Sequence, residues 1–298
     1  MRFLEKSRSL AVDSIAYDLE DSVTPSKKPE SRENILSILN RDRAPSIREQ
    51  AVRINSVSSG FALQDLTTIL RGTHLDALVV PKVDRPSDLH FITDVLRQAL
   101  PDRHAPDSPN PVKIIALIES ARAITDLNGI CAASPYLSGL TFAAEDFALD
   151  LSITRTPDLH EFTYARSAIV TAARAFEIPS ALDLVSTTFR GEAGVKALRA
   201  ESENGRRFGF NGKQCIHPEQ VGLVQEVFGP EEKEVQWAVR VLICDRKADE
   251  QGRGAWTLDG KMIDVPVVGK ARAIVAKAEG CGFDVREMWE KFGDEEPQ

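Results

Sequence analysis

Seven short apolar runs recur along the chain, each followed by a stretch with helical spacing or dense charge: SIAYDLED near residue 14, AVRIN at 51, DALVVPKV at 76, KIIALIES at 113, GLTFAAED at 139, SALDLV at 180 and GKQCIHP at 212. Parallel strands need long crossovers, so this alternation is the mark of a parallel sheet covered by helices. Between the runs lie KKPESRENILSILN, ALQDLTTILRG, PSDLHFITDVLRQAL, TPDLHEFTYARSAIVTAARAFEI and GEAGVKALRAESENG, several with Pro, Ser, Asp or Glu near the start, as helix N-termini prefer.

Polar residues gather at the C-terminal ends of the runs: Asp18, Glu20 and Asp21; Arg53 and Asn55; Lys82; Glu119; Glu145 and Asp146; Asp183; His217. A barrel assembles its site from the ends of several strands, whereas an open doubly wound sheet collects its ligand at one switch point. Polar ends on successive strands therefore predict a (β/α)₈ TIM barrel. The pattern opens on a helical stretch, MRFLEKSRSL, so the barrel is expected to lack its first strand. After His217 come a long polar helix, GPEEKEVQWAVRVLICDRKADEQG, a hairpin signal at Asp259-Gly260, and a final helix in VPVVGKARAIVAKA. The expected organisation is a barrel over residues 1–224 and a lid-like hairpin-plus-helix extension over 225–298.

A net charge of −8 gives no footing for nucleic acid or an anionic membrane, so an anionic ligand would need a local basic pocket. The four cysteines lie far apart without C-x-x-C spacing, which argues against a zinc site or a disulfide framework and for a reducing compartment. No apolar stretch approaches the roughly 18 residues of a membrane span, and the first residues lack the apolar segment of a secretory signal. A soluble protein is expected.

Glu119 and Asp146 end neighbouring runs, and two carboxylates converging on one face can hold Mg²⁺, with water and substrate oxygens completing its shell. Each taken alone reads first as a helix N-cap, and it is the two together at neighbouring run ends that favour the metal. Arg53, at the end of VRINSVSSG, can clamp a substrate carboxylate through two parallel hydrogen bonds or make a rim ion pair with Glu20 or Asp21. His217 in IHPEQV fits a loop entering a helix better than a general base. By spacing alone, Asp264 in KMIDVP is an N-cap followed by Pro.

The set YDLEDSVTPSKKPESR, VRINSVSSG, VVPKV, ALIESARA, FAAEDF, YARSAIVTAARAF, GFNGKQCIHPEQV and GAWTLDGKMIDVP, in this order and at these intervals, resembles the citrate lyase β-subunit-like proteins of the HpcH/HpaI aldolase superfamily, in their citramalyl-CoA lyase and malyl-CoA lyase branch. The resemblance runs through nearly the whole chain. It implies a TIM barrel with a C-terminal extension, Mg²⁺ dependence, acyl-CoA and 2-oxo acid ligands, and a homotrimer. By motif matching, Glu119 and Asp146 take the metal-ligand positions, and Arg53 takes the carboxylate-binding one. Lys6, Lys27 and the backbone around Gln214 and Cys215 fall where the family contacts the CoA thioester. Asp264 matches an acid/base supplied in trans to the next subunit's barrel, and Glu20 and Asp21 become groups that orient Arg53 and metal-bound water.

The resemblance implies a carbon–carbon lyase cleaving a 3-hydroxy-acyl-CoA, such as (3S)-citramalyl-CoA, to acetyl-CoA and pyruvate. Two rivals stand beside it: malate or β-methylmalate synthase activity, meaning condensation plus thioester hydrolysis, and a non-catalytic CoA-binding subunit. Likeness to mitochondrial members points to the matrix, while a chain complete as written would be cytoplasmic.

Overall fold

The computed structural model describes residues 2–188 and 190–298, which fall into two units, Met1–Val224 and Gln225–Gln298. In the first, seven parallel strands run in sequence order through one sheet: β1 (Val12–Asp18), β2 (Ile47–Arg53), β3 (Ala77–Val80), β4 (Lys113–Ile118), β5 (Leu137–Phe142), β6 (Ser180–Asp183) and β7 (Gly212–Lys213). Helices connect them, giving the α/β wall of a TIM-type barrel one strand short of eight, with β1 and β7 as the edges.

The interior strands read as near-continuous apolar runs because both faces are covered, and ALVV of β3 is buried at every residue. At the edge, Tyr17 and Leu19 are buried, as expected for IAYDL, but Ile15 is half-buried because β1 has a neighbour on one side only.

Register decides what the other face carries. Ala16 pairs with Ala51, Asp18 with Arg53, Ala51 with Ala77 and Val79 with Ile115. In-register partners of parallel strands project to the same side. Ala51, Ala77, Val79, Ile115 and Leu117 accordingly form one apolar cluster. Two residues beyond it in the same alternation stand Arg53 and Glu119, so the polar rim is the next layer of a packed stack.

Asp183 departs from the expectation that every polar strand end faces the ligand side. It is fully buried against the helices Thr163–Ala175 and Gly191–Phe208, where Arg166 donates Nε and Nη2 to its two oxygens at 3.1 and 2.7 Å. Arg166 also donates to Asn204 Oδ1 at 2.6 Å and lies over the Phe208 ring. A side chain on Gly205 would place its Cβ 2.3 Å from Asp183 Oδ2, so this close approach requires glycine.

The second unit holds the helix Glu232–Glu250, an antiparallel hairpin (β8, Trp256–Leu258; β9, Lys261–Ile263), and the helices Val265–Gly280 and Val285–Lys291. Val235, Val239, Ile243, Trp256, Ile263 and Ala271 are among its core residues. Asp259 and Gly260 both take positive φ, 51° and 73°, as the primed hairpin turn demands. Arg240 binds Asp259 through Nη1 and Nη2 at 2.8 and 2.9 Å and Glu295 at 2.7 Å, tying the turn and the tail segment to the long helix. The helix ending at Gly280 is followed by another, too short at seven residues to show periodicity in the sequence. Among the described residues no helix is long and apolar enough to cross a membrane.

Gly205→Ala should lower stability by about 1–3 kcal/mol through overpacking against Asp183. Gly222→Ala, where nothing lies within 4 Å of the added methyl, should be neutral or stabilise by up to about 1 kcal/mol. Urea unfolding of both variants checks this; equal stability would refute the tight approach at Gly205.

Candidate active site

Asp18 and Arg53 are register partners at the C-terminal ends of β1 and β2, so their side chains meet on one face. Arg53 donates Nε to Oδ1 and Nη2 to Oδ2 of Asp18 at 2.6 and 2.7 Å, a two-bond fork, and its Nη1 lies 3.0 Å from Glu20 Oε2. Asp18 also accepts from the backbone N–H of Glu20 and from the Ser22 backbone and hydroxyl. Burial alone would raise the Asp18 carboxyl, but the Arg53 guanidinium and the Ser22 hydroxyl outweigh it and hold it at about 2. For Glu20, burial wins over Arg53 and its carboxyl is raised. The orienting partners of Arg53 are thus Asp18 and Glu20. Asp21, read beside Glu20 as an orienting group, is exposed and acts on Glu20 through charge.

The ends of β1 and β2 are fixed from behind by a buried polar network. Lys28 Nζ donates to the carbonyls of Leu19 and Glu20 and to Asn55 Oδ1 at 2.6 Å. Asn55 donates its backbone N–H and its Nδ2 to Asp65 Oδ2, and Arg32 Nε donates to Asp65 Oδ1 at 2.7 Å. Sequence reasoning missed Lys28, Arg32 and Asp65. Their signal was three charges inside otherwise amphipathic helices, without the long-range pairing that explains them.

Glu119 directly follows β4 and is 5 % exposed. Its Oε1 accepts the backbone N–H of Lys82, a residue with a left-handed φ of 51°. Asp146, expected at a strand end, lies instead in the first turn of the helix Ala144–Leu151, where helix dipole and free N–H groups favour an anion. Burial first, and then the neighbouring Asp146 carboxylate, push the Glu119 carboxyl up to about 8 against the opposing Lys82 N–H. Lys82 Nζ lies 3.7 Å from Glu20 Oε1 and also feels Asp146, Asp21 and Glu119, so it links the Arg53 half of the rim to the carboxylate pair.

Among the described residues no group of three or more His, Cys, Asp or Glu side chains forms a metal cage. Two neighbouring carboxylates, one fixed by a backbone donor and raised by burial, are nevertheless a donor set that fits Mg²⁺. This ion takes one or two protein carboxylates and fills its octahedron with water and ligand oxygens.

Lys6 is exposed on the helix Arg2–Ser7, and Lys27 is exposed and paired with Glu30 at 2.8 Å. Gln214 donates its backbone N–H to the Asp183 carbonyl just after β7. Cys215 beside it is half-buried, and burial pushes its thiol up to about 11. Gln220, also unforeseen, holds this loop: its Oε1 accepts the N–H groups of Ile216 and His217, and its Nε2 donates to the Ser186 carbonyl at 2.9 Å. Asp264 belongs to the second unit, where Oδ1 accepts the N–H of Val267 at 3.2 Å and caps the helix Val265–Gly280.

The family model for HpcH/HpaI aldolase/citrate lyase matches residues 2–218. The mitochondrial citramalyl-CoA lyase of Homo sapiens is 34% identical over 285 residues, 92% of this chain and 81% of that protein. The citrate lyase subunit beta of Haemophilus influenzae is 33% identical, over 90% of this chain and 89% of the relative. Among solved structures, the protein CitE from Mycobacterium tuberculosis in complex with magnesium, acetoacetate and coenzyme A superposes with a TM-score of 0.69. It is 28% identical and 93% of each chain is covered.

Asp18→Asn should destabilise the protein by about 1–3 kcal/mol at pH 7, because Arg53 loses its charged fork. A depressed carboxyl contributes stability above its ordinary value near 3.8 and loses it as pH falls through about 2, so the gap between wild type and variant should close over that window in urea titrations. Glu119 has the opposite sign. Raised to about 8, it favours the metal-free fold below its ordinary value near 4.5 and withdraws that support as pH climbs to 8. Glu119→Gln should flatten this decline in metal-free thermal melts, and an unchanged slope would contradict the assigned shift.

Proposed function

The chain belongs to the HpcH/HpaI aldolase/citrate lyase family, and on that premise we propose that it is a Mg²⁺-dependent carbon–carbon lyase of 3-hydroxy-acyl-CoA thioesters. The observation that carries this reading is the convergence of Glu119 and Asp146 beside an Arg53 already oriented by Asp18. The named activity of the human relative supports citramalyl-CoA as substrate, with acetyl-CoA and pyruvate as its cleavage products, and the magnesium and coenzyme A of the Mycobacterium tuberculosis structure support a metal-assisted reaction on a CoA thioester.

Glu119 and Asp146 would hold the Mg²⁺, which when bound withdraws electron density from the oxygens of the acid moiety. Arg53 binds the carboxylate of that moiety; Asp18 occupies two of its five N–H donors and leaves others for the substrate. The C2–C3 bond breaks as the C3 hydroxyl gives its proton to solvent water and becomes the keto group of pyruvate. The electron pair passes to the thioester as an enolate. Asp264 holds the proton that this enolate takes at C2, yielding the methyl group of acetyl-CoA, and abstracts it in the reverse condensation. We assign Lys6, Lys27 and the backbone at Gln214 and Cys215 to the CoA moiety. Residues 225–298 act as a lid that delivers Asp264 to a neighbouring barrel within a homotrimer. A mitochondrial setting follows the human relative's name.

Purified protein given citramalyl-CoA should release pyruvate only with Mg²⁺ present. Asp264→Asn should lower kcat by about 10²-fold or more while Mg²⁺ affinity stays unchanged. Full activity in that variant would return Asp264 to a helix cap. Failure to cleave citramalyl-, malyl- or methylmalyl-CoA, with free CoA appearing from acetyl-CoA and glyoxylate, would replace the lyase by the synthase.

A further inference from the structure

Lys82 is the charged group of this rim to which the mechanism above gives no task. Two features single it out. Its φ of 51° lies in the left-handed region that a residue with a Cβ rarely adopts, and its N–H donates to Glu119. Glycine would meet that backbone demand without strain, so what the lysine adds is its ammonium. The ammonium lies 3.7 Å from Glu20 and feels Asp146, Asp21 and Glu119, carboxylates that otherwise face one another.

Charge bookkeeping shows what that does. When ionised, Asp18, Glu20, Asp21, Glu119 and Asp146 bring five negative charges to the rim, against which Arg53 and Lys82 set two positive ones. A divalent cation at Glu119 and Asp146 would offset most of the excess and would repel the ammonium beside Glu20.

We propose that Lys82 is the resident counter-ion of the site: its backbone fixes Glu119, and its ammonium keeps the carboxylates together until an entering Mg²⁺ displaces it. The displaced ammonium remains on the rim beside Arg53, positioned to meet the anionic end of the substrate once the metal has bound. Metal and lysine therefore compete, and Lys82 sets both the Mg²⁺ affinity and the stability of the metal-free protein. This rests on the reading of Glu119 and Asp146 as the metal ligands.

The test is calorimetric titration of MgCl₂ into metal-free wild type, Lys82→Met and Lys82→Gly, with thermal melts of each protein in the absence of metal. Both variants lack the ammonium, and the glycine variant keeps the left-handed backbone at no steric penalty, so it also serves if the methionine variant folds poorly. The expected result is Mg²⁺ binding about tenfold or more tighter in both variants, from loss of a nearby like charge. Their metal-free melting temperatures should fall, with Mg²⁺ restoring more stability than it does in wild type. Equal or weaker Mg²⁺ binding in both variants, with wild type binding normally, would overturn the counter-ion role and leave the metal ligands standing. Absence of Mg²⁺ binding in all three proteins would instead overturn the metal site itself and the counter-ion role with it.

Discussion

Like charges crowded on one rim are the constraint on which the rest of this site depends. Asp18 and Glu119 stand on the same face of one sheet, yet their carboxyls are driven in opposite directions, to about 2 and about 8. Asp18 meets a guanidinium through two bonds and stays ionised, whereas Glu119 meets another carboxylate in a drier place and resists ionisation. Environments that push like groups apart in this way give them separate tasks. One holds a cationic side chain in place, and the other is the carboxylate proposed to take Mg²⁺.

The sheet makes this division possible without any special local structure. Alternation along each strand stacks Ala51, Val79 and Leu117 into an apolar layer, and the same alternation sets the charged layer directly above it. Small residues on β2 and the start of β3 let that layer close under the rim. The network of Lys28, Asn55, Asp65 and Arg32 then satisfies the buried carbonyls at the strand ends, where an unpaired polar group would be expensive.

Much of this was legible in the sequence, because buried parallel strands are apolar runs of the right length and their polar ends stand out against them. All seven runs form the seven strands, and Asp259-Gly260 makes its hairpin turn. What stayed hidden depends on register or on long-range pairing. Asp18 looked like one of three equivalent carboxylates until its pairing with Arg53 set it apart. Asp183 carried the same polar-end signal as Glu119 but faces the helices, since Arg166 and the bare Cα of Gly205 receive it there. Asp146 was displaced from strand to helix because FAAED supplies a strand end and a helix start within a few residues. For Asp264, a cap and an acid call for the same residue type, and local geometry supplies the cap.

The strand that carries Asp18 is paired along one side alone. An edge strand is held by a neighbour on one side, so its local opening is set by the β1–β2 ladder and by the ion pairs at its end. Each such opening separates Asp18 and Glu20 from Arg53 together. The fraction of molecules with β1 docked therefore multiplies directly into the apparent affinity for any ligand that Arg53 binds. Amide exchange along residues 13–18 becomes a gauge of ligand affinity, and a ligand bridging Arg53 to the Glu119 side acts as a staple across the strands.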